Sequence, residues 1–285
     1  MSKFSTLEVF MNRRHVLKLA AGYSLTSCIY GRSAIASTTQ WSRTSTIATG
    51  LSSPVGMAID SAGSVIIANW SAGTILRAGR DGKVASLASG LSGPSGLAIA
   101  SSGDIYVASY SQDLVWRISP TGGEPSVFVR GLATPAGLSF DNQGRLLIAN
   151  RRTNQILAAT PDGKLSVAVQ GELQTPVGAV QLPDGSYFVS NISGGVSYAK
   201  ADGAARTISR EFASPGPGIA MADAESVYVV DYGGTEVKRV FKDGKTHVVA
   251  GGFRSPVGLV VERTRDRAIV ADWGSNSAYE MAIRA

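Results

Sequence analysis

The chain has 285 residues, 44% of them apolar and 7% aromatic, enough to bury a core in one large domain or two small ones. Charged residues are scarce at 17% and there are 33 glycines, which favours an all-β chain with many turns over a helical or disordered one. The net charge of +6 does not mark a nucleic-acid binder: residues 1–36 hold Lys3, Arg13, Arg14, Lys18 and Arg32 against Glu8, and the 22 basic and 20 acidic residues beyond them form no phosphate-tracking stripe.

The first 36 residues read as an export signal. Arg13 and Arg14 supply the charged region, residues 16–30 a short apolar region, and Ala34-Ile35-Ala36 a small-residue cleavage site. The run Arg13-Arg14-His15-Val16-Leu17-Lys18 resembles the twin-arginine signal, which implies export across a bacterial inner membrane in the folded state, to the periplasm or beyond. Met11 is an alternative start, because the ten residues before it add nothing a signal needs. A second reading competes in the same segment: Leu25-Thr26-Ser27-Cys28 resembles a lipoprotein box, in which Cys28 is acylated and a lipid anchor remains. Cleavage after Ala36 is favoured, because the apolar region runs on past Cys28 before the Ala-x-Ala site. Cys28 is the single cysteine, so residues 37–285 have no disulfide, no thiolate nucleophile and no cysteine-ligated zinc. No later stretch approaches the ~18 uninterrupted apolar residues of a membrane-spanning helix.

Residues 37–285 read as one repeat domain. PVGMAI at 54–59 recurs as PSGLAI at 94–99, PAGLSF at 135–140, PVGAVQ at 176–181, PGIAM at 217–221 and PVGLVV at 256–261. The aligned glycines, Gly56, Gly96, Gly137, Gly178, Gly218 and Gly258, are 40 or 41 residues apart, a period long enough for four strands. In the first copy the turn chemistry predicts strands over 55–59, 64–68, 74–78 and 84–88, with a turn at 60–63, a loop at 69–73 and an Asp81-Gly82 hairpin. Asp-Gly returns at 162–163, 202–203 and 243–244, and Gly122-Gly123 replaces it in the second copy.

The last copy stops after a third strand at 279–283. Residues 43–54, RTSTIATGLSSP, form an orphan with the pattern of a fourth strand leading into the next copy, like KVASLASGLSGP at 83–94. That permutation suits a closed ring and is useless to a solenoid, because the first strand completes the last sheet and hides its edge. The expected fold is all-β: a six-bladed β-propeller of four-stranded antiparallel blades, the N-terminal strand completing the last blade.

The pattern P-x-G-[LM]-A, then D-x-x-G, then a β-branched strand ending in Ala-Asn or Ala-Asp, resembles the NHL repeat. It is also similar to the six-bladed senescence-marker-protein and gluconolactonase-like propellers and to streptogramin lyase, over residues 44–285. The resemblance is specific for fold and weak for function. In the gluconolactonase-like enzymes it implies calcium ligands, with Asn or Asp before the repeat glycine and a Glu ahead of the first proline. Here those places hold Val55, Ser95, Ala136, Val177, Pro217 and Val257, and Leu51-Ser52-Ser53 precedes Pro54 without a glutamate. For the lyases the resemblance implies a histidine base. The domain's single histidine, His247, falls on an outer strand, where a surface or packing role is expected.

Two rings of side chains remain as candidates at the loop end of the propeller. The first, Asn69, Ser109, Asn150, Asn191, Asp231 and Asp272, suits hydrogen bonds to neighbouring loops. Asp231, Asp272 and Asn69 fall on consecutive blades and are the candidate ligands if two carboxylates share a cation such as calcium. The second ring follows it: Trp70, Tyr110, Arg151, Tyr232 and Trp273, with Ile192 in the fourth copy and Arg152 extending the third. Aromatic faces and a forked cation suit a small molecule or a protein side chain, although the rings would also serve to seal the blades. NISGGVSYAK at 191–200 and SPGPGIA at 214–220 depart from the repeat, either opening a notch or reflecting drift. The sequence-based expectation is an exported, monomeric binding scaffold with no cofactor. The alternative is a metal-dependent, calcium-using lactone hydrolase or lyase of the gluconolactonase-like group.

Overall fold

A computed structural model describes residues 40–201 and 203–283. The expected leader, with Arg13, Arg14, Ala34, Ala36 and Cys28, lies outside these described residues, as do its two processing routes.

The described chain contains twenty-four strands in six four-stranded antiparallel sheets. Strand β1 (Trp41–Ala48) comes first. Blade one is β2 (Pro54–Ile59), β3 (Val65–Asn69), β4 (Thr74–Ala78) and β5 (Val84–Ala88). Blade two is β6 (Pro94–Ile99), β7 (Ile105–Ser109), β8 (Leu114–Ile118) and β9 (Ser126–Val129). Blade three is β10 (Pro135–Phe140), β11 (Leu146–Asn150), β12 (Gln155–Ala159) and β13 (Leu165–Val169). Blade four is β14 (Pro176–Gln181), β15 (Tyr187–Asn191), β16 (Gly195–Ala199) and β17 (Arg206–Ser209). Blade five is β18 (Pro215–Met221), β19 (Ser226–Asp231), β20 (Val237–Phe241) and β21 (Thr246–Ala250). Blade six is β22 (Pro256–Glu262), β23 (Arg267–Asp272) and β24 (Ser277–Ile283), with β1 as its outer strand.

Ring closure is as the orphan strand predicts. β1 pairs antiparallel with β24, Trp41 opposite Ile283 and Ala48 opposite Ala278, and β22 also packs on β2. The closing strand is longer than its sequence pattern suggested. It gains Trp41, which is buried and meets Tyr228 of blade five edge-on, with ring centroids 4.7 Å apart.

The second strands are mostly apolar and buried because each is covered on both faces. In β3, Val65 and Ile67 face blade six while Ile66 and Ala68 face blade two, the period of two expected of a strand. The same alternation fills all six gaps between blades, so the core is six apolar wedges, one per interface. The irregular blades four and five keep the full four strands.

Each inner strand begins on its proline, a position that asks for no ladder N–H, and its register slips just beyond. The repeat glycines follow, where neighbouring inner strands come closest. A β-carbon on Gly96 would lie 2.1 Å from the Ala136 carbonyl oxygen, so side chains are excluded there. Among the described residues no helix is long and apolar enough to cross a membrane.

Candidate functional site

The residue before each repeat glycine points towards the loop end of the ring. Val55, Ser95, Ala136, Val177, Pro217 and Val257, one per blade, form the floor of a bowl on the propeller axis. The wall is made by the residue after each second strand: Trp70, Tyr110, Arg151, Ile192, Tyr232 and Trp273. The bowl has a volume of about 220 Å³. That exceeds the ~150 Å³ apolar cavity that accepts benzene. Below the floor lies a smaller, glycine-lined cavity of about 50 Å³.

The wall is continuous over five blades. Tyr232 meets Trp273 at 6.4 Å between centroids, Trp273 meets Trp70 at 6.3 Å, and Trp70 meets Tyr110 edge-on at 4.9 Å. The Arg151 guanidinium stands 5.1 Å from the centre of the Tyr110 ring, within cation–π range. Trp70, Tyr232 and Trp273 also rest on the wedge between blades six and one. Sealing the blade tops and lining a bowl are therefore the same arrangement, each ring turning one side to the core and one to the cavity.

Few polar groups reach the bowl. The Ser95 hydroxyl is buried and has its one proton within reach of three main-chain carbonyls, those of Ala108, Pro135 and Ala136, at 3.2–3.3 Å. The Tyr110 and Tyr232 phenols and the Arg151 guanidinium remain. The two adjacent arginines part company: Arg151 lines the bowl, whereas Arg152 is exposed and outside its lining. They occupy a single 3₁₀ turn over Arg151–Thr153, held by the Arg151 and Arg152 N–H groups on Thr134 and Ala133 carbonyls and by Thr153 Oγ1 at 2.8 Å from Asn150 Nδ2.

The first candidate ring lies behind this wall, fully buried. Each member ties the end of a second strand to the loop entering the same blade. Asn69 Oδ1 accepts from Ser52 N–H at 3.3 Å, Asn150 Oδ1 from Ala133 N–H at 2.7 Å, and Asn191 Oδ1 from Gln174 N–H at 3.0 Å. Asp231 accepts from Ala213 and Ser214 N–H, and Asp272 from Arg254 and Ser255 N–H. The Ser109 hydroxyl reverses the polarity and donates to the Ser92 carbonyl at 2.7 Å.

This donor set does not fit calcium. Both oxygens of Asp231 and of Asp272 are taken by main-chain N–H groups. Lys238 Nζ sits 3.0 Å from Asp231, supplying the positive charge an ion would otherwise bring, and the Ser275 hydroxyl sits 2.9 Å from Asp272. Among the described residues no three His, Cys, Asp or Glu side chains converge as a metal site would require. In this structure Asp231, Asp272 and Asn69 serve as acceptors for the loops entering their blades. His247 lies exposed on β21, its ring 5.7 Å from Phe241 and remote from the bowl lining.

A further set escaped the sequence reading. Asp113, Asn154 and Asn276, each just before a third strand and each in the left-handed conformation, accept hydrogen bonds from the N–H of Thr134, Thr175 and Ser53 on the following blade, at 2.6–3.0 Å. Gly73 and Gly195 take the corresponding left-handed position in blades one and four. The signal was present as an Asx-or-Gly repeat four residues after the ring position in five of the six blades, Thr235 being the exception, and these are the residue types that tolerate positive φ.

The fold is shared with solved propellers of differing activity. A gluconolactonase from Xanthomonas campestris superposes with a TM-score of 0.72 at 16% identity, over 84% of this chain and 89% of its own. Virginiamycin B lyase from Staphylococcus aureus gives 0.66 at 16% identity, over 86% and 100%. The PQQ-bound aldose sugar dehydrogenase from Streptomyces coelicolor gives 0.68 at 17% identity, over 86% and 98%. No protein-family model matches the chain, and no curated protein does.

Proposed function

We propose that the protein is an exported binding module whose ligand is a small, ring-bearing molecule seated in the axial bowl. One observation carries this reading: every blade contributes one side chain to the floor and one to the wall, and four of the six wall residues are Trp or Tyr. An apolar concave site with a few fixed polar groups is the usual form of a small-molecule pocket. The leader-like residues 1–36 support an extracytoplasmic setting.

The same lining argues against general acid–base chemistry in the bowl. It holds neither a carboxylate nor an imidazole, so hydrolysis or elimination there has no ordinary base within reach. The structural neighbours named as a lactonase, a lyase and a dehydrogenase supply the fold, and the chemistry of each lives in residues grafted on it.

The test is tryptophan emission. Aromatic ligands seated in the bowl quench Trp70 and Trp273 and raise the melting temperature. Trp273→Ala removes both responses while the circular dichroism spectrum and the cooperative melt persist. Ligand-induced stabilisation that survives in Trp273→Ala would place the ligand elsewhere.

A further inference from the structure

The bowl contains one formal charge, and that charge has no partner. Arg151 enters none of the ion pairs among the described residues, and its guanidinium donates no hydrogen bond to them. Its Nε is buried without an acceptor, while the residue as a whole is half-buried in the bowl lining. The contrast with Lys238, which meets the buried Asp231 at the same end of the ring, is instructive. Lys238 is claimed by Asp231 at 3.0 Å, by Glu236 at 3.5 Å and by the Glu211 carbonyl at 2.6 Å. The fold neutralises one cation thoroughly and leaves the other unneutralised in an apolar wall.

Arg151 is also held in place. Its main chain is fixed by the 3₁₀ turn that Asn150 and Thr153 brace, and its guanidinium lies beside the Tyr110 ring at 5.1 Å. Little rotamer freedom is left to lose when something binds its guanidinium. No carboxylate lines the bowl to compete for it. Surrounded by Trp, Tyr, Ile, Val and Ala side chains, the charge is less screened than one on an open surface.

We infer that the bowl selects small aromatic carboxylates, with Arg151 receiving the anionic group across its two terminal nitrogens while the ring lies against Trp70, Trp273 and Tyr110. The inference rests on the bowl being the ligand seat and specifies the chemistry of what sits there. A fork of two parallel N–H···O bonds matches the planar carboxylate and is stronger than bonds to a neutral amide.

The experiment compares phenylacetate with phenylacetamide, which share shape and ring and differ in charge. Tryptophan quenching and isothermal titration are followed on the wild-type protein and on Arg151→Gln. The wild-type protein is expected to bind phenylacetate at least about tenfold more tightly than phenylacetamide, a hydrogen-bonded charge being worth that factor or more. Arg151→Gln is expected to lose the preference while still binding phenylacetamide, and raising salt from 50 to 500 mM to weaken only phenylacetate. Equal affinity for the two compounds, or a preference that persists in Arg151→Gln, overturns the anion assignment and leaves the bowl as a neutral-ligand seat. Failure of both compounds to bind overturns the assignment together with the reading of the bowl.

Discussion

Gly258 and Val55 meet across the joint between the last blade and the first. A β-carbon on the glycine would stand 2.1 Å from the valine carbonyl oxygen. The obstacle is main chain on a neighbouring inner strand, which cannot rotate away as a side chain would. Gly258→Ala is therefore expected to cost about 2–3 kcal/mol and to lower the melting temperature by about 4–12 °C. Gly82→Ala is the control: its φ is +77° in a hairpin turn with nothing within 4 Å of the new carbon, so only the left-handed penalty of about 1 kcal/mol applies. Thermal melts of the two variants side by side check the ordering.

Trp41 should be the most valuable residue of the closing strand. It is 5% exposed and packs edge-on against Tyr228 of blade five, so β1 is fastened by a wedge as well as by its ladder to β24. Trp41→Ala is expected to lose about 3 kcal/mol or more. Hydrogen exchange should then rise first along β24 and β1, whose edge becomes exposed. Uniform acceleration through all six blades would show instead that the ring opens only as a unit.

The Asp272 carboxylate accepts two N–H groups of the loop entering its blade, and its removal leaves both unpaired in a partly buried place. Asp272→Ala should cost about 2–5 kcal/mol, and Asp272→Asn, which keeps one acceptor, markedly less. Because those oxygens are already occupied, millimolar calcium should shift the melting temperature of the wild-type protein by less than about 1 °C. A rise of several degrees that vanishes in Asp272→Asn would reinstate the cation.

Acid stability offers a separate check at the opposite end of the ring. The Asp184 carboxyl is held down to about 2 from an ordinary 3.8, chiefly by its hydrogen bond from Lys242 and then by those from Ser186. A depressed carboxyl contributes stability that is fully present above the unfolded value and is lost as pH falls through the folded one. Its contribution is thus constant above about pH 4 and disappears between about pH 4 and pH 2. The carboxylate is half exposed, so solvent screening keeps the contribution at or below about 1 kcal/mol. Asp184→Asn should lower the urea midpoint at pH 7 by the equivalent of about 1 kcal/mol or less, and the variant and wild-type curves should converge as the pH falls to about 2.

Much of the architecture was written in the chain. Six evenly spaced glycines gave the blade count, and the unpaired pattern at 43–54 gave the closure. The phase of the repeat placed Trp70 and Trp273 on one wall without any structural information, because a residue's position within a blade determines its face. What the repeat does not encode is register between outer strands. Nor does it encode which polar side chains meet within a blade: Lys238 on β20 reaches Asp231 at the end of β19, whereas no carboxylate among the described residues reaches Arg151 in its 3₁₀ turn, so the charge balance of the bowl was illegible. The Asn/Asp ring was ambiguous for a related reason. An Asx side chain at a strand end reads the same whether its oxygen meets a metal or a loop N–H, and only the loop path of 17 or 18 residues back along the chain decides between them.

The pairing of β1 with β24 also sets an order of events. One strand of that sheet is made before the five intervening blades and its three partners after them. Five blades can assemble as they emerge, while β1 waits for its partner beside an unsealed gap between Gly258 and Val55. β24 must be made before the gap closes, which makes the ring a check that every blade before it has been made.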